Sequence, residues 1–153
     1  MDVLHLCADS AYGAIAAAGF AVLFNVGLRA LPLCAASGAM ALAIRDIALE
    51  SGWRMEAASF TAALVVGLVL QLMPPRLPVS RNDLHVVGCI PMVPGGFATK
   101  AVLALFALTA ENLTGIDGTL AVAIQNGLRI TFTMCAIGVG LSIPALLSRQ
   151  QVS

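Results

Sequence analysis

The residues best suited to chemistry lie at a proline and glycine break, Pro91-Met-Val-Pro94-Gly95-Gly96, inside an apolar stretch over residues 83–110. Prolines remove backbone donors and glycines loosen the chain, so this stretch cannot be one continuous α-helix. Within a bilayer, such a break leaves N–H and C=O groups that need protein or water as partners. The helix that restarts near Gly95 is expected to present free amides and a positive dipole end, which suits a carboxylate.

Lys100 follows Gly96 by about one helical turn, so it adds a positive charge on the same face. We therefore predict that Pro91, Pro94, Gly95, Gly96 and Lys100 bind the carboxylate of a small substrate. The alternative is a plain kink, with the Lys100 side chain extended toward the membrane surface.

Arg45 and Asp46 lie well inside a second apolar stretch. Burying an ion at the bilayer centre costs at least about 2.5–3.5 kcal/mol, so both residues should face protein or water. Adjacent helical residues point about 100° apart, so the two cannot be each other's only partners, and Arg45 is expected to meet an acid such as Glu56. We predict that Arg45, Asp46 and Glu56 gate a path or couple protons. A structural ion pair, with Glu56 as a boundary carboxylate, is the alternative.

A polar stripe on the last apolar stretch comprises Asn126, Arg129 and Thr133, at spacings i, i+3 and i+7. Such a stripe should line an interior. Arg129 is the predicted substrate-side cation of this stripe, and hydrogen bonding within a helix bundle is the alternative.

No pattern in the sequence indicates catalysis. The two histidines, His5 and His85, are not at metal-ligand spacing, and the four cysteines form no CxxC pair. The chain also contains no Gly-x-Ser-x-Gly motif, phosphate loop or paired-acid motif. We predict that the protein is not an enzyme and binds no metal or cofactor.

Composition identifies the elements that must position these residues. The 153 residues are 59% hydrophobic and 10% charged, far below the roughly one-quarter charged share of soluble domains. This indicates an integral membrane protein in a lipid bilayer. Eight basic and eight acidic residues leave no cationic excess, which argues against nucleic acid as a partner.

We predict an all-α polytopic membrane helix bundle with about five transmembrane helices, one of them broken at Pro91–Gly96, in a single integral membrane domain over residues 1–153. Prolines 74, 75 and 78 form the firmest boundary, and the last helix is expected to end near Pro144. The predicted spans are 3–24, 33–50, 54–73, 83–110 and 119–147.

The placement of charge favours an outside N-terminus and a cytoplasmic C-terminus, because cations then lie on the cytoplasmic side. The residues that set this orientation are Arg29, Arg76, Arg81 and Arg149, with acidic Glu111 and Asp117 outside and Arg54 against the trend. If the break is instead the tip of a re-entrant hairpin, the later loops change sides.

Three segments carry a family resemblance: FAVLFNVGLRAL at 20–31, IPMVPG at 90–95 and GLSIP at 140–144. Together they resemble the small, YjjB-like subunit of the threonine/serine exporter (ThrE) family over nearly the whole chain. Asn126 matches an asparagine on the last helix of that family, so the resemblance adds it to the predicted substrate-binding residues. The roles given to Gly96 and Lys100 come from the helix-terminus argument alone.

The resemblance implies an inner (plasma) membrane exporter, driven by the proton gradient, for threonine and serine or, in split members, a dicarboxylate such as succinate. It also implies a larger polytopic membrane subunit as partner. Short helices rich in small residues, such as Ala35, Ala39 and Ala43, leave little surface for both a closed bundle and a cavity, so an assembly is predicted, including a possible homo-oligomer. The rival hypothesis is a non-transporting membrane scaffold or assembly subunit.

Overall fold

The computed structural model describes residues 3–72, 81–109 and 116–150, in which every regular element is helical. This confirms the predicted all-α class. Prolines 74, 75 and 78, Arg76 and Glu111 lie outside the described residues. In chain order the elements are α1 (Val3–Leu23), a 3-10 turn (Leu28–Ala30), α2 (Leu31–Glu50), α3 (Met55–Leu72), α4 (Arg81–Cys89), a 3-10 turn (Ile90–Met92), α5 (Gly95–Thr109) and α6 (Ile116–Gln150).

Four segments are long and apolar enough to cross a membrane by themselves: Leu4–Leu23, Leu28–Glu50, Met55–Leu72 and Gly118–Leu147. A bent pair, Leu84–Met92 with Gly95–Thr109, meets the same criterion together. The count is therefore four, or five if the pair forms one span, in agreement with the sequence prediction. The orientation of the termini stays a prediction.

The chain divides into two units by its internal contacts. The first unit comprises Met1–Met92 and Ala136–Ser153, and the second unit is Val93–Cys135. The boundary falls at the break between the Ile90–Met92 turn and α5 and again within the long helix α6. A single integral membrane domain stays a prediction.

Glycine brings α1 and α2 of the first unit into backbone contact. A Cβ atom on Gly38 would lie 2.5 Å from the Cβ of Ala17 and 2.5 Å from the carbonyl oxygen of Gly13. Small residues permit this close approach, as they do between membrane helices generally. The contact uses Gly38, whereas the predicted small-residue face of Ala35 and Ala39 is only half-buried.

The last helix continues past Pro144 to Gln150, whereas its apolar span, Gly118–Leu147, agrees with the predicted 119–147. A proline within a helix removes one hydrogen bond. Here its ring is buried against α3, where a Cβ on Gly67 would lie 2.7 Å from the Pro144 ring. The Pro144 carbonyl also accepts a hydrogen bond of 3.2 Å from Gln71 Nε2. Packing and this bond from α3 stabilise the helix where the sequence alone indicates a stop.

Candidate functional site

Arg45 on α2 reaches the break. Its guanidinium Nη1 donates to the carbonyl oxygen of Met92 at 3.3 Å. Met92 ends the 3-10 turn before α5, and its side chain is fully buried. The break interrupts the regular helical hydrogen bonds, so its carbonyl groups need other donors at membrane depth. A cation from α2 therefore binds the backbone of the broken segment.

Asp46 shares this site. Its Oδ1 lies 3.5 Å from Arg45 Nε, and the two side chains are 18% and 16% exposed. The prediction that they are not each other's only partners is confirmed for Arg45, which also donates to Met92, and not for Asp46. Among the described residues, Asp46 Oδ2 has no hydrogen-bond partner although it is buried. The carboxylate therefore keeps one oxygen available for a proton or a cation.

Glu56 is not the partner of Arg45, contrary to the prediction. Its Oε2 lies 4.0 Å from Nε of Arg54, whose side chain is 90% exposed, whereas Arg45 pairs with its neighbour Asp46. Glu56 occupies the first turn of α3, where the positive end of the helix dipole favours a carboxylate. This placement agrees with the alternative of a boundary carboxylate.

The second helix of the broken segment begins at Gly95, as predicted. Three of its first four backbone amides donate hydrogen bonds. Gly95 donates to Val93 O at 2.8 Å, and Phe97 and Ala98 donate to Pro94 O at 3.1 and 3.2 Å. In the described ranges, the Gly96 amide is the one of the four without an acceptor. The helix start therefore offers a single free donor, fewer than the sequence suggested.

The surroundings of this helix start are open on one side. Pro94 is buried and Pro91 is half-buried, whereas both glycines are exposed. A Cβ placed on Gly95 or Gly96 would meet no heavy atom within 4 Å. Within this chain, the glycines thus leave free space beside the Gly96 amide.

Two cations of the second unit contact one aromatic ring. Lys100 Nζ lies 5.9 Å from the centroid of the Phe97 ring, and Arg129 Cζ lies 5.4 Å from it. Both distances are within the range of cation–π attraction. We call Phe97, Lys100 and Arg129 the cation–aromatic cluster. The structure thus joins Lys100 and Arg129, which the sequence placed on separate helices.

Phe97 was missed by sequence reasoning. Its spacing of three residues from Lys100 could have indicated that pair, because i and i+3 are neighbours on a helix. No local signal connects Phe97 with Arg129, which is 32 positions away in the sequence.

The polar stripe of α6 divides between different roles. Thr133 is 1% exposed, and its hydroxyl donates to the carbonyl of Arg129 in its own helix at 2.7 Å. The Asn126 amide donates to Val122 O, also at 2.7 Å, while Arg129 is exposed. Arg129 is the member of the stripe whose charged group lies near an aromatic ring of another helix.

Other features of the described residues involve none of these groups. An apolar cavity of about 270 Å³ in the first unit is lined by Phe24, Val26, Val86 and Val87, none of them a predicted site residue. In the part of the chain that the structure describes, no three His, Cys, Asp or Glu residues are grouped as metal ligands would be.

Comparison with known families gives one match. A family model described as "Threonine/Serine exporter, ThrE" matches residues 9–147. No solved structure matches the chain. The matched residues include the Arg45–Asp46 pair, the break and the cation–aromatic cluster.

Proposed function

The chain belongs to the threonine/serine exporter (ThrE) family, and on that premise we propose that it forms part of the substrate path of a proton-coupled exporter. Family membership makes the protein an exporter-type membrane transporter rather than an enzyme. We propose threonine, serine or a dicarboxylate such as succinate as substrate. Each of these metabolites carries a carboxylate.

The cation–aromatic cluster is the observation that carries the substrate proposal. Lys100 and Arg129 are both within 6 Å of the Phe97 ring centroid. Neither cation forms an ion pair with any described residue. Two unpaired cations near one ring suit an anionic ligand.

The start of α5 supplies the second element of the proposed site. The free Gly96 amide and the open space at Gly95 and Gly96 accept a carboxylate oxygen without steric conflict. Pro91 and Pro94 interrupt the helix so that α5 begins at this position. Asn126, whose amide nitrogen is already bonded, would contribute its side-chain oxygen as an acceptor, for example for the ammonium or hydroxyl group of an amino acid.

We assign proton coupling and gating to the first unit. Asp46 has one buried oxygen without a hydrogen-bond partner, and Arg45 links the same pair to the Met92 carbonyl. Protonation of Asp46 would weaken its hold on Arg45 and so change the support of the broken segment. Glu56, beside exposed Arg54, would act at the membrane boundary. An ionisable pair at membrane depth is a common component of proton paths.

The depth of Arg129 supports a partner chain. If the bilayer is crossed by the middle of the Gly118–Leu147 span, Arg129 lies within the hydrocarbon region, because about 20 residues cross it. Its side chain is nevertheless exposed in this chain. Because an arginine facing lipid at this depth is costly, protein or water must cover it. We propose a larger polytopic subunit, since a second copy would bring another cation to the same face. The membrane is proposed to be the inner membrane, with the N-terminus outside.

The test compares Lys100→Ala and Arg129→Gln with Arg54→Gln, a control that removes an exposed cation outside the cluster. Counterflow of labelled threonine, serine and succinate is measured in vesicles that contain the chain and its partner. We expect each cluster variant to lower the rate for the true substrate by about tenfold or more, as for a lost charged hydrogen bond. Unchanged counterflow in both variants, at equal protein levels, would contradict the site.

A second comparison distinguishes proton coupling from substrate binding, and a transporting subunit from a non-transporting scaffold. Asp46→Asn should retain counterflow and lose accumulation driven by a proton gradient, with Glu50→Gln on the same helix as control. The scaffold hypothesis predicts instead that transport by the partner is independent of every cluster substitution. Purified chain alone moving labelled serine would contradict the need for a partner.

A further inference from the structure

Phe97 is the described residue that links the two cations of the proposed substrate site. It is half-buried near the start of α5, one turn before Lys100, and Arg129 approaches it from α6. All three residues belong to the second unit. Without the ring, nothing described in this unit holds the two side chains near each other.

The two positive charges lie near the same aromatic ring. Nζ of Lys100 and Cζ of Arg129 are measured to one centroid, at 5.9 and 5.4 Å, so they cannot be farther apart than these two distances end to end. Each side chain is long and rotatable and gains entropy by moving into solvent or toward the headgroups. An aromatic face opposes this separation, because its quadrupole attracts both cations.

We propose that Phe97 is a positioning residue that prepares Lys100 and Arg129 for a carboxylate ligand. The inference rests on the proposed function, because it concerns the affinity of the same site. The ring holds the cations before the ligand arrives, so binding need not supply the ordering free energy of two long side chains. An aliphatic side chain of similar size fills the space but does not attract the cations.

The chemistry of the ring predicts an order among substitutions. Phe97→Leu removes the π system, whereas Phe97→Trp keeps it and presents the stronger cation–π surface. We expect Phe97→Leu to raise KM for the transported carboxylate about five- to thirtyfold, the combined effect of two such contacts, with little change in the maximal rate. Phe97→Trp should stay within about threefold of wild type.

The experiment uses inverted vesicles from cells in which each variant replaces the native gene, with labelled serine and labelled succinate as probes. Rates are normalised to the amount of chain in the membrane. Phe106→Leu is the matched control, because Phe106 also lies on α5, is 68% exposed and has no cation contact among the described residues. It should leave KM unchanged.

A double-mutant cycle distinguishes positioning from packing. In a Lys100→Gln, Arg129→Gln background, Phe97→Leu should have no further effect on KM. A loss of equal size in that background would show that Phe97 acts only by packing and would overturn the proposal.

The same data separate this proposal from the function on which it rests. Transport that is insensitive to Lys100→Gln, Arg129→Gln would overturn the substrate site and, with it, the role of Phe97. Transport that depends on both cations but is unaffected by Phe97→Leu would overturn the positioning role alone.

Discussion

Arg45 forms an ion pair with one group and donates a hydrogen bond to another. One is the Asp46 carboxylate beside it, and the other is the Met92 carbonyl at the break. The planar guanidinium presents several donors in fixed directions, whereas a lysine ammonium acts as a point charge. The proposed role of Arg45 therefore depends on the shape of its guanidinium group as well as on its charge.

From this geometry we predict that Arg45→Gln slows export by about tenfold or more, because the break loses a charged hydrogen bond at membrane depth. Arg45→Lys should recover only part of the rate. Export is measured as efflux of labelled substrate per amount of chain in the membrane. Arg54→Gln serves as the control, since that side chain is 90% exposed and its contact with Glu56 spans 4.0 Å. Equal rates for Arg45→Gln and wild type would show that the Met92 contact is incidental.

At the scale of the elements, close crossings of helices depend on glycine. Gly38 permits the α1–α2 crossing, and a Cβ on Gly140 would lie 2.8 Å from the Phe60 carbonyl oxygen and 3.0 Å from Ala63 Cβ. These contacts are with backbone or with short side chains, which cannot move aside as a flexible side chain can. The distances between these helices of the first unit thus depend on glycine at Gly38 and Gly140, where a side chain would clash.

We predict that Gly38→Ala destabilises the purified protein by about 1–3 kcal/mol, the usual cost of overpacking. Gly19→Ala on α1 is the matched control, because nothing lies within 4 Å of its added Cβ, and it should stabilise the protein by up to about 1 kcal/mol, the helix-propensity gain of alanine over glycine. Unfolding in detergent under increasing denaturant measures both. A Gly38→Ala protein as stable as wild type would mean that the α1–α2 crossing relaxes without cost.

Some elements were predictable because their signal is local. Apolar length and the Pro91 and Pro94 interruption indicate the spans and the restart at Gly95 without knowledge of the fold. Pro144 was interpreted as a helix end because its local rule is strong, and packing against Gly67 overrides that rule. Element boundaries thus fail where a tertiary contact compensates a local penalty.

The site was less predictable, since its contacts join distant parts of the chain. Lys100 and Arg129 were selected as isolated cations, but the Phe97 ring that joins them depends on how α5 and α6 approach. Likewise, Glu56 was predicted as the partner of Arg45 from its charge alone. The actual acceptor is the backbone carbonyl of Met92, and since every residue has such a carbonyl, residue types cannot identify it.

For the whole molecule, the exposed apolar surface is expected to contact lipid, whereas the exposed charge of Arg129 is not. Only 17% of the α1 window and 22% of the α6 window are buried within the chain, which lipid can accommodate. Lipid cannot accommodate Arg129 in the same way. The face of α6 that carries Arg129 should therefore contact water or protein, while other faces of the helix contact lipid.

This difference can be measured with single cysteines introduced after the four native cysteines are replaced by alanine. Gln125 lies about 40° around α6 from Arg129, and Ile124 lies about 140° away, at 100° per residue. Both positions are exposed in the chain, and neither is in the cluster. We predict that Gln125→Cys reacts with a membrane-impermeant maleimide in intact vesicles and that Ile124→Cys does not. Adding the partner subunit should leave the reaction at Gln125→Cys if the covered face is a water-filled path, and abolish it if the face is a dry interface. Equal labelling at both positions without the partner would mean that the Arg129 face is not distinguished from the lipid-facing surface, and the proposed path would then have to lie elsewhere.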